Sequence, residues 1–489
     1  MKAHLMFADK DFSVTAALGP GSDTLKADLE LNRILECVGG GDDIVARAAA
    51  SAMFHPLTAL SELSYRHEVL KDCMENREAV RELYRLAVDA DDYQSLNIKR
   101  VVMNPYLYDM YLGIQLMLKD QLDALQKLRA AMRKFQPSFR SAALSKLGLE
   151  LDKLLPDDFF TEANQRLKEL REKEGFLIAA SLGDGLEGVR YALCRFNPGL
   201  EKLRWKLAPA ITISEEDAVG KTDLEQRRDR AVNECVNILG QTAEFIARFF
   251  NQLRGELAFY IGCLNLEEKL TQLGMPVCLP AFSPMNSSNR AWKGMYDVSL
   301  ALLKQAAVTA NDLPRGSAKL TLITGANQGG KSTFLRSFGQ AQLMAQSGMP
   351  VGAAELLVPL RQNLLTHFRK EEDSRMKKGK LDEELARMEK LMPRLQKGSV
   401  ILFNESFAAT NELEGSELCR QITQALVDAG VEVVIVSHQY TFAESCVGKP
   451  DNRLLCAERL ASGQRTFRIV PGNPTSTAYG EDLYKKIFG

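Results

Sequence analysis

A strand, loop and helix motif around residue 325 constrains this chain more than any other feature. Residues 320–324 are apolar and β-branched, and the helix-like stretch that opens at Thr333 runs to about Gln346. Between them, residues 325–332 fit the pattern G-x-x-x-x-G-K-[ST]. Because strand, glycine loop and helix follow one another in the required order, we interpret residues 325–332 as a phosphate-binding loop.

The residues of this loop indicate what it binds. Its glycines let backbone N–H groups curl around phosphates, and the helix N-terminus adds a partial positive charge. Lys331 supplies a point charge for the terminal phosphates, and Ser332 is a candidate Mg²⁺ ligand. The predicted ATP-binding residues are Gly325, Ala326, Asn327, Gln328, Gly329, Gly330, Lys331, Ser332 and Thr333.

Two later strands end in polar residues that suit the same chemistry. Residues 399–403 form an apolar strand followed by Asn404 and Glu405, and Glu405 is placed to polarise an attacking water. Asn404 stands where an aspartate is usual, so we expect Mg²⁺, held by Ser332, Asn404 and Glu405, to be bound less strongly. A third strand ends at His438, which is suited to contact a γ-phosphate. The alternatives are a solvated carboxylate at Glu405 and a structural histidine at His438.

The distribution of helix and strand patterns predicts an α plus α/β protein. Apolar residues recur at helical spacing over 25–38, 43–53, 59–88, 105–134 and 233–273. Short strands are predicted over 176–182, 189–196 and 205–213, separated by turns at 183–185 and 197–199. From about residue 276, apolar strands alternate with helices, which is the βαβ pattern. The predicted domains are 1–154 (helical), 155–215 (a small β-containing insertion), 216–275 (returning helices) and 276–489 (a nucleotide-binding domain).

Composition limits the classes of partner and the compartment. The formal net charge is −1, so any contact with nucleic acid requires a local basic patch. The nine cysteines are scattered with no Cys-x-x-Cys pair, which argues against a disulfide framework or a zinc site and favours a reducing compartment. The first residues lack the apolar core of a signal peptide, and no apolar run is long enough to span a bilayer. We therefore expect a cytoplasmic protein without a membrane partner.

Several stretches together resemble the MutS family of DNA mismatch-repair ATPases. They are residues 323–336, 343–351, 404–411 with 414–415, 437–440, 468–472 and 476–480, with weaker similarity over 25–90 and 230–275. The resemblance implies long lever helices leading to an ABC-type P-loop ATPase domain, and a homodimer with each ATP between two ATPase domains. It also implies that Asn327 positions the hydrolytic water, which makes Glu405, His438 and Asn327 the predicted catalytic residues. Ser406 to Asn411 would touch the other subunit.

The chain also departs from this family. Only about 25 residues precede the lever-like helices, so we expect the mismatch-reading domain to be absent, and a C-terminal nuclease domain as well. The Ser-Thr pair that the family directs at the partner's ATP is missing from residues 373–385. Lys380 or Ser374 would replace it, or this segment is a solvated basic loop before a helix capped by Asp382.

Contact with DNA rests on two basic clusters that contain aromatic residues. They include Arg129, Arg133, Lys134, Arg140, Lys202, Arg204 and Lys206. These residues either contact phosphates or form an ordinary solvated surface. We expect a slow ATPase that acts as an ATP-switched dimeric clamp, requires Mg²⁺ and recognises DNA structure in repair or recombination. The alternative is an ATP-dependent scaffold that binds protein and has lost DNA contact.

Overall fold

The computed structural model describes residues 1–102, 107–170, 177–185, 187–194, 212–214, 216–285, 287–370, 379–460 and 464–475, without side chains for 93–102. The chain divides into two compact units. One, called the helical unit here, comprises residues 1–5, 9–12 and 75–257. The other, called the mixed unit, comprises residues 6–8, 13–74 and 258–489.

Four short helices near the N-terminus belong to the mixed unit. They are α1 (Ser22–Asp28), α2 (Leu31–Gly39), α3 (Asp43–Phe54) and α4 (Leu60–Glu75). The Asp42 side chain caps α3 by accepting the N–H groups of Ile44 and Val45. The single helix predicted over 25–38 is wrong, because Glu30 adopts a left-handed φ of 52° and divides it into α1 and α2.

The helical unit contains the long helices. They are α5 (Arg77–Val102), α6 (Leu107–Phe135), α7 (Ala142–Leu154), α8 (Asp157–Leu170) and α9 (Ala218–Gln272), whose last part, from Ala258, belongs to the mixed unit. The stretch predicted as one helix over 59–88 is interrupted between α4 and α5. The predicted helices over 105–134 and 233–273 correspond to α6 and to most of α9.

A small hairpin lies between α8 and α9 in the sequence, as predicted. Its strands β1 (Leu177–Leu182) and β2 (Gly188–Cys194) pair antiparallel, with Leu177 opposite Cys194. Strand β1 is mostly exposed, and β2 is divided between exposed and half-buried residues. Most of the third predicted strand, over 205–213, and the turn at 197–199 lie outside the described residues.

Two sheets build the mixed unit. The four-stranded sheet has the order β3-β7-β4-β5, and the six-stranded sheet has the order β12-β11-β6-β10-β9-β8. The strands are β3 (Ala281–Ser283), β4 (Asn289–Met295), β5 (Asn311–Ser317), β6 (Leu320–Thr324), β7 (Glu355–Pro359), β8 (Leu364–Phe368), β9 (Val400–Asn404), β10 (Glu432–Val436), β11 (Asn452–Arg459) and β12 (Arg465–Pro471).

The helices of this region are α10 (Val298–Lys304), α11 (Lys331–Ser347), α12 (Lys380–Leu391), α13 (Glu412–Asp428) and α14 (Tyr440–Ser445). In the six-stranded sheet, β11, β6, β10, β9 and β8 run parallel and only β12 runs antiparallel. Strands β6, β9 and β10 are the three apolar strands predicted from the sequence. Their side chains are buried almost throughout, so they read as continuous apolar runs.

Part of the N-terminal region lies in the same compact unit as the C-terminal residues, and the domain boundaries at residues 154, 215 and 275 stay predictions. Residues 13–74 pack with the C-terminal part of the chain, where Leu57 and Gln346 exchange backbone and side-chain hydrogen bonds. The N-terminal helices are therefore part of the surroundings of the phosphate-loop helix α11.

Candidate nucleotide-binding and hydrolysis site

Three neighbouring strand ends place the predicted site residues together. Strand β10 lies between β6 and β9 and is parallel to both. The loop 325–330 follows β6, Asn404 and Glu405 stand at the end of β9, and Ser437 and His438 follow β10. Because the carboxyl ends of parallel strands meet at one edge of a sheet, this edge is where a ligand site is expected.

The glycines of the loop occupy positions that no side chain fits. Gly325 and Gly330 have φ of 110° and 93°, in the region that favours glycine. A Cβ added to Gly329 would lie 2.7 Å from the Ala457 Cβ and 2.9 Å from the Ala326 carbonyl oxygen. The backbone is thus curled tightly, and Gly330 caps the N-terminus of α11.

Lys331, the first residue of α11, is buried with its ammonium group inside the loop. Its Nζ donates to the carbonyl oxygens of Gly325 and Ala326, at 2.9 and 2.8 Å. Burial lowers the pKa of Lys331 to about 8, and the nearby Glu405 carboxylate partly opposes this effect. The ammonium group still carries its proton at neutral pH. An anionic ligand in the loop would therefore stabilise this buried cation.

Ser332 and Asn404 meet at the candidate metal position. The Ser332 hydroxyl donates to the Asn404 Oδ1 at 3.0 Å. Both oxygens are hard donors that suit Mg²⁺, but an amide brings no negative charge. Within the described residues, no group of three His, Cys, Asp or Glu side chains is arranged to hold a metal ion.

Glu405 and His438 form a hydrogen-bonded pair. The His438 Nε2 lies 2.7 Å from the Glu405 Oε1, so the ring donates to the carboxylate. This bond holds the pKa of Glu405 below its usual range, although burial acts against it, and Lys331 adds a smaller effect in the same direction. Glu405 is therefore ionised at neutral pH and available as a base.

A pocket of about 370 Å³ opens beside the loop. Most predicted site residues line it, namely Asn327, Gln328, Gly329, Gly330, Lys331, Ser332, Thr333 and Glu405. Ala326, also in the loop, is buried. Asn404 and His438 do not line the pocket themselves but contact Ser332 and Glu405, which do.

Sequence reasoning missed the far side of this pocket. It is lined by Lys304, Val308, Thr309, Asn311 and Phe467. Phe467 has a left-handed φ of 60°, and its carbonyl oxygen lies 3.2 Å from where a Gly330 Cβ would be. None of these residues belongs to a motif, because the pairing of β12 with β11 brings Phe467 to the loop.

The predicted subunit-contact loop needs a correction. Ser406 and Phe407 are buried within the chain, where Ser406 contacts His367 and the Phe407 N–H donates to Glu384. The side chains of these two residues therefore pack inside the chain and do not face a second subunit. In contrast, Asn411 is exposed and caps α13 through its side chain.

The predicted segment before α12 is described only in part. Ser374 lies outside the described residues. Lys380 is the first residue of α12, and Gly379 precedes it as the cap residue. The prediction that Asp382 caps this helix is wrong, because Asp382 lies in its first turn.

The first basic cluster is largely neutralised by carboxylates. Arg129 is buried, and its guanidinium donates to the Leu155 carbonyl and to Asp157. The prediction that Arg129 contacts DNA is therefore wrong. The other described members are exposed and pair with acids, in the pairs Arg133 with Asp152, Lys134 with Glu82 and Arg140 with Glu75. Lys202, Arg204 and Lys206 lie outside the described residues.

Comparisons with known proteins agree with these motifs. Residues 58–273 match the family model of the MutS2 N-terminal domain, and residues 321–451 match that of MutS domain V. The first match extends through the middle of the chain, where the sequence motifs gave little indication. Among the described residues, no helix has the length and apolar character needed to cross a membrane.

Individual relatives are similar over part of their length. The chain is 29% identical over 176 residues to a DNA mismatch repair protein MutS of Thermotoga neapolitana, which is 35% of this chain and 22% of that protein. It is 27% identical over 173 residues to that of Thermus aquaticus, covering 35% and 21%. It is 26% identical over 211 residues to an Endonuclease MutS2 of Lacticaseibacillus casei, covering 41% and 26%. The matched part is thus about a quarter or less of each relative.

Proposed function

Because the chain belongs to the MutS family, we propose that it is a slow ATPase whose ATP-bound form is a dimeric clamp on DNA. One observation carries the ATPase proposal: the phosphate loop, Ser332 with Asn404, and the Glu405 and His438 pair lie at adjoining strand ends. Residues 276–489 would then be an ABC-type ATPase domain, which pairs with a second copy around the nucleotide.

The residues present fit ATP and Mg²⁺. The curled loop suits phosphate oxygens, and the buried Lys331 ammonium supplies their counter-charge. Ser332 and Asn404 would hold Mg²⁺, which when bound offsets charge on the β- and γ-phosphates. Since Asn404 is neutral, we expect this hold to be weak and turnover to be slow.

Glu405 would act as the general base. Its ionised carboxylate accepts a proton from the water that attacks the γ-phosphorus, while Asn327 orients that water. His438 donates to Glu405 and so fixes the carboxylate, and it is suited to contact the γ-phosphate. The bond from phosphorus to the bridging oxygen breaks, which releases ADP and phosphate.

The DNA part of the proposal rests on family membership. Relatives are named as DNA mismatch repair proteins and as an endonuclease. We propose that this chain contacts phosphates and recognises DNA structure rather than a mispair. Arg133, Lys134 and Arg140 are the exposed members of the described cluster that remain candidates for this contact.

A panel of DNA structures tests the proposal. ATP turnover is measured alone and with duplex, mismatched and branched DNA, at low and moderate salt. We expect slow turnover, stimulated by DNA in a salt-sensitive way because phosphate contact releases counterions. Glu405→Gln should bind ATP without turnover, and Lys331→Met should lose ATP binding. A wild-type protein without turnover, or with turnover that survives Glu405→Gln, would refute the ATPase proposal.

The second candidate is an ATP-dependent scaffold for a protein partner. The pairing of Arg129, Arg133 and Lys134 with carboxylates favours it, since paired cations attract DNA less. Turnover that no DNA stimulates, with no DNA binding at low salt, would favour the scaffold over the clamp.

A further inference from the structure

The turn that carries Glu405 is held in an unfavourable conformation. Glu405 and Phe407, on either side of Ser406, have φ of 54° and 59°. Non-glycine residues in the left-handed region cost about 1 kcal/mol or more each, so they persist only when their surroundings fix them. The contacts of this turn therefore determine where the Glu405 carboxylate lies.

The contacts to Phe407 come from two elements. The Phe407 N–H donates to the Glu384 Oε2 at 2.6 Å, and its carbonyl oxygen accepts from the Gln439 Nε2 at 2.9 Å. Glu384 belongs to α12 and is 5% exposed. Burial raises the pKa of Glu384, and the Phe407 N–H that its carboxyl oxygen accepts acts in the opposite direction. Hydrogen bonds therefore fix both backbone polar groups of Phe407, its N–H and its carbonyl oxygen.

His367 ties the middle of the turn to the same helix. Burial lowers the pKa of His367 to about 4, so its ring is neutral at pH 7. The Nε2 lies 3.1 Å from the Glu384 carbonyl oxygen, which only accepts, so the ring proton is on Nε2. The Ser406 hydroxyl lies 2.7 Å from the Nδ1 and donates to the His367 carbonyl oxygen at 2.6 Å. His367 also stacks on the Phe407 ring, with centroids 5.2 Å apart.

We propose that Glu384 is a positioning residue for the hydrolytic carboxylate. Through its side chain and its carbonyl oxygen, Glu384 holds both residues that follow Glu405, and so it links the position of α12 to the orientation of Glu405. Glu384 does not line the nucleotide pocket. Its effect is consequently on the rate of the hydrolytic step and not on nucleotide affinity. This inference rests on the proposed ATPase function.

The test compares Glu384→Ala with Glu384→Gln and with Glu389→Ala, an exposed glutamate on the same helix. A glutamine oxygen still accepts the Phe407 N–H, whereas alanine leaves it without that acceptor. We expect Glu384→Ala to lower kcat about tenfold or more, since small displacements of a catalytic group are costly. The Kd for a fluorescent ATP analogue should stay within about twofold. Glu384→Gln should recover most of the rate, and Glu389→Ala should match wild type.

Hydrogen exchange of the peptide spanning residues 404–411 gives a readout independent of turnover. Exchange should rise in Glu384→Ala, return towards wild type in Glu384→Gln and stay unchanged in Glu389→Ala. If Glu384→Ala does not fold, Glu384→Asp, whose carboxylate is too short for this contact, replaces it.

Two results would overturn the positioning role. One is an unchanged kcat and unchanged exchange in Glu384→Ala, and the other is a Kd that rises in parallel with the loss of rate, which indicates general support of the site. If wild type shows no turnover, the ATPase proposal fails by itself. The exchange pattern then decides whether Glu384 holds the turn.

Discussion

At the scale of single residues, four of the eight non-glycine residues with positive φ in the described part of the chain lie at the candidate site. Gln328, Glu405, Phe407 and Phe467 are non-glycine residues with positive φ, and all lie in or next to the loop, the Glu405 turn or the pocket. Strain of this kind is retained where function requires a fixed geometry. No sequence motif marks Phe407 or Phe467 as such a residue.

Replacing Asn404 with aspartate tests the metal side of the site. The new carboxylate would lie beside the Ser332 hydroxyl, now 3.0 Å from the Asn404 oxygen, and would add the missing negative charge. We expect Asn404→Asp to lower the Mg²⁺ concentration for half-maximal turnover several-fold and to raise turnover. Titration of ATPase activity with Mg²⁺ measures both. Unchanged Mg²⁺ dependence and turnover would show that the amide does not limit the metal.

His67 makes the stability of the mixed unit depend on pH. Burial lowers the pKa of His67 to about 4, with smaller contributions from Lys71 and Arg66, and the ring stacks on Phe282. Below about pH 6.5 the His67 ring is protonated in the unfolded chain but stays neutral in the folded chain until about pH 4. The free energy of unfolding therefore falls as the pH drops. The loss approaches about 3 kcal/mol near pH 4 and vanishes above about pH 7.

We therefore expect His67→Phe to flatten this pH dependence. Urea unfolding at pH 7.5 and at pH 5.0 measures the difference in the free energy of unfolding for each protein. The difference should be about 2 kcal/mol smaller in the variant than in wild type. An equal difference in the two proteins would mean that His67 is protonated in the folded chain.

At the scale of elements, the phosphate-loop helix α11 is fixed along its length by the N-terminal helices. Near its C-terminus, the buried Arg66 of α4 donates to the Ser347 carbonyl at 2.6 Å. Gln346 exchanges hydrogen bonds with Leu57, and Gln340 donates to the Leu29 carbonyl. These hydrogen bonds anchor the middle and the C-terminal end of α11 to α4 and to the residues next to α1 and α4.

One buried carboxylate joins the two sheets of the mixed unit. Glu432, at the start of β10, lies 2.7 Å from the Arg290 Nε of β4 and 2.7 Å from the Arg361 Nε after β7. Burial opposes ionisation, yet these two guanidinium groups hold the pKa of Glu432 below its usual range. Removing the charge would leave two buried cations without their counter-ion.

We expect Glu432→Gln to destabilise the protein by about 3–5 kcal/mol. Chemical denaturation measures the change, and Glu417→Gln is the matched control, because Glu417 forms an exposed pair with Arg420 on α13. The control should unfold as wild type does. Equal stability of Glu432→Gln and wild type would show that the two sheets do not depend on this charge.

At the scale of the whole molecule, the exposed start of α13 tests the proposed dimer. Leu413 is 73% exposed beside the turn that follows Glu405, whereas Ser406 and Phe407 are buried. In a Glu405→Gln background with saturating ATP, we expect Leu413→Glu to weaken self-association at least about tenfold, because it places a charge in an apolar contact. Sedimentation velocity measures the effect.

The control for this prediction is Leu60→Glu, an exposed leucine at the start of α4. It should dimerise as the parent does. ATP-dependent association that Leu413→Glu leaves intact would place the subunit contact elsewhere. A Glu405→Gln protein that stays monomeric with saturating ATP would contradict the shared-site dimer itself.

The sequence by itself determined the strand, loop and helix at residues 320–347, the Asn404 and Glu405 strand end, and His438 after its strand. These features depend on local backbone preferences and on apolar strands, which neighbouring residues encode. It also indicated the family, which the two domain matches confirm.

Only the tertiary structure decided which side chains serve these features. Packing between residues distant in sequence buries Arg129 and Ser406 and brings Phe467 to the loop. It also places Glu384 against Phe407 and accompanies the break at Glu30. A glutamate on a helix or an arginine in a basic run has the same local pattern whether it faces solvent or the interior. Long-range packing selects between the two, because a buried charge is stable only where a partner meets it.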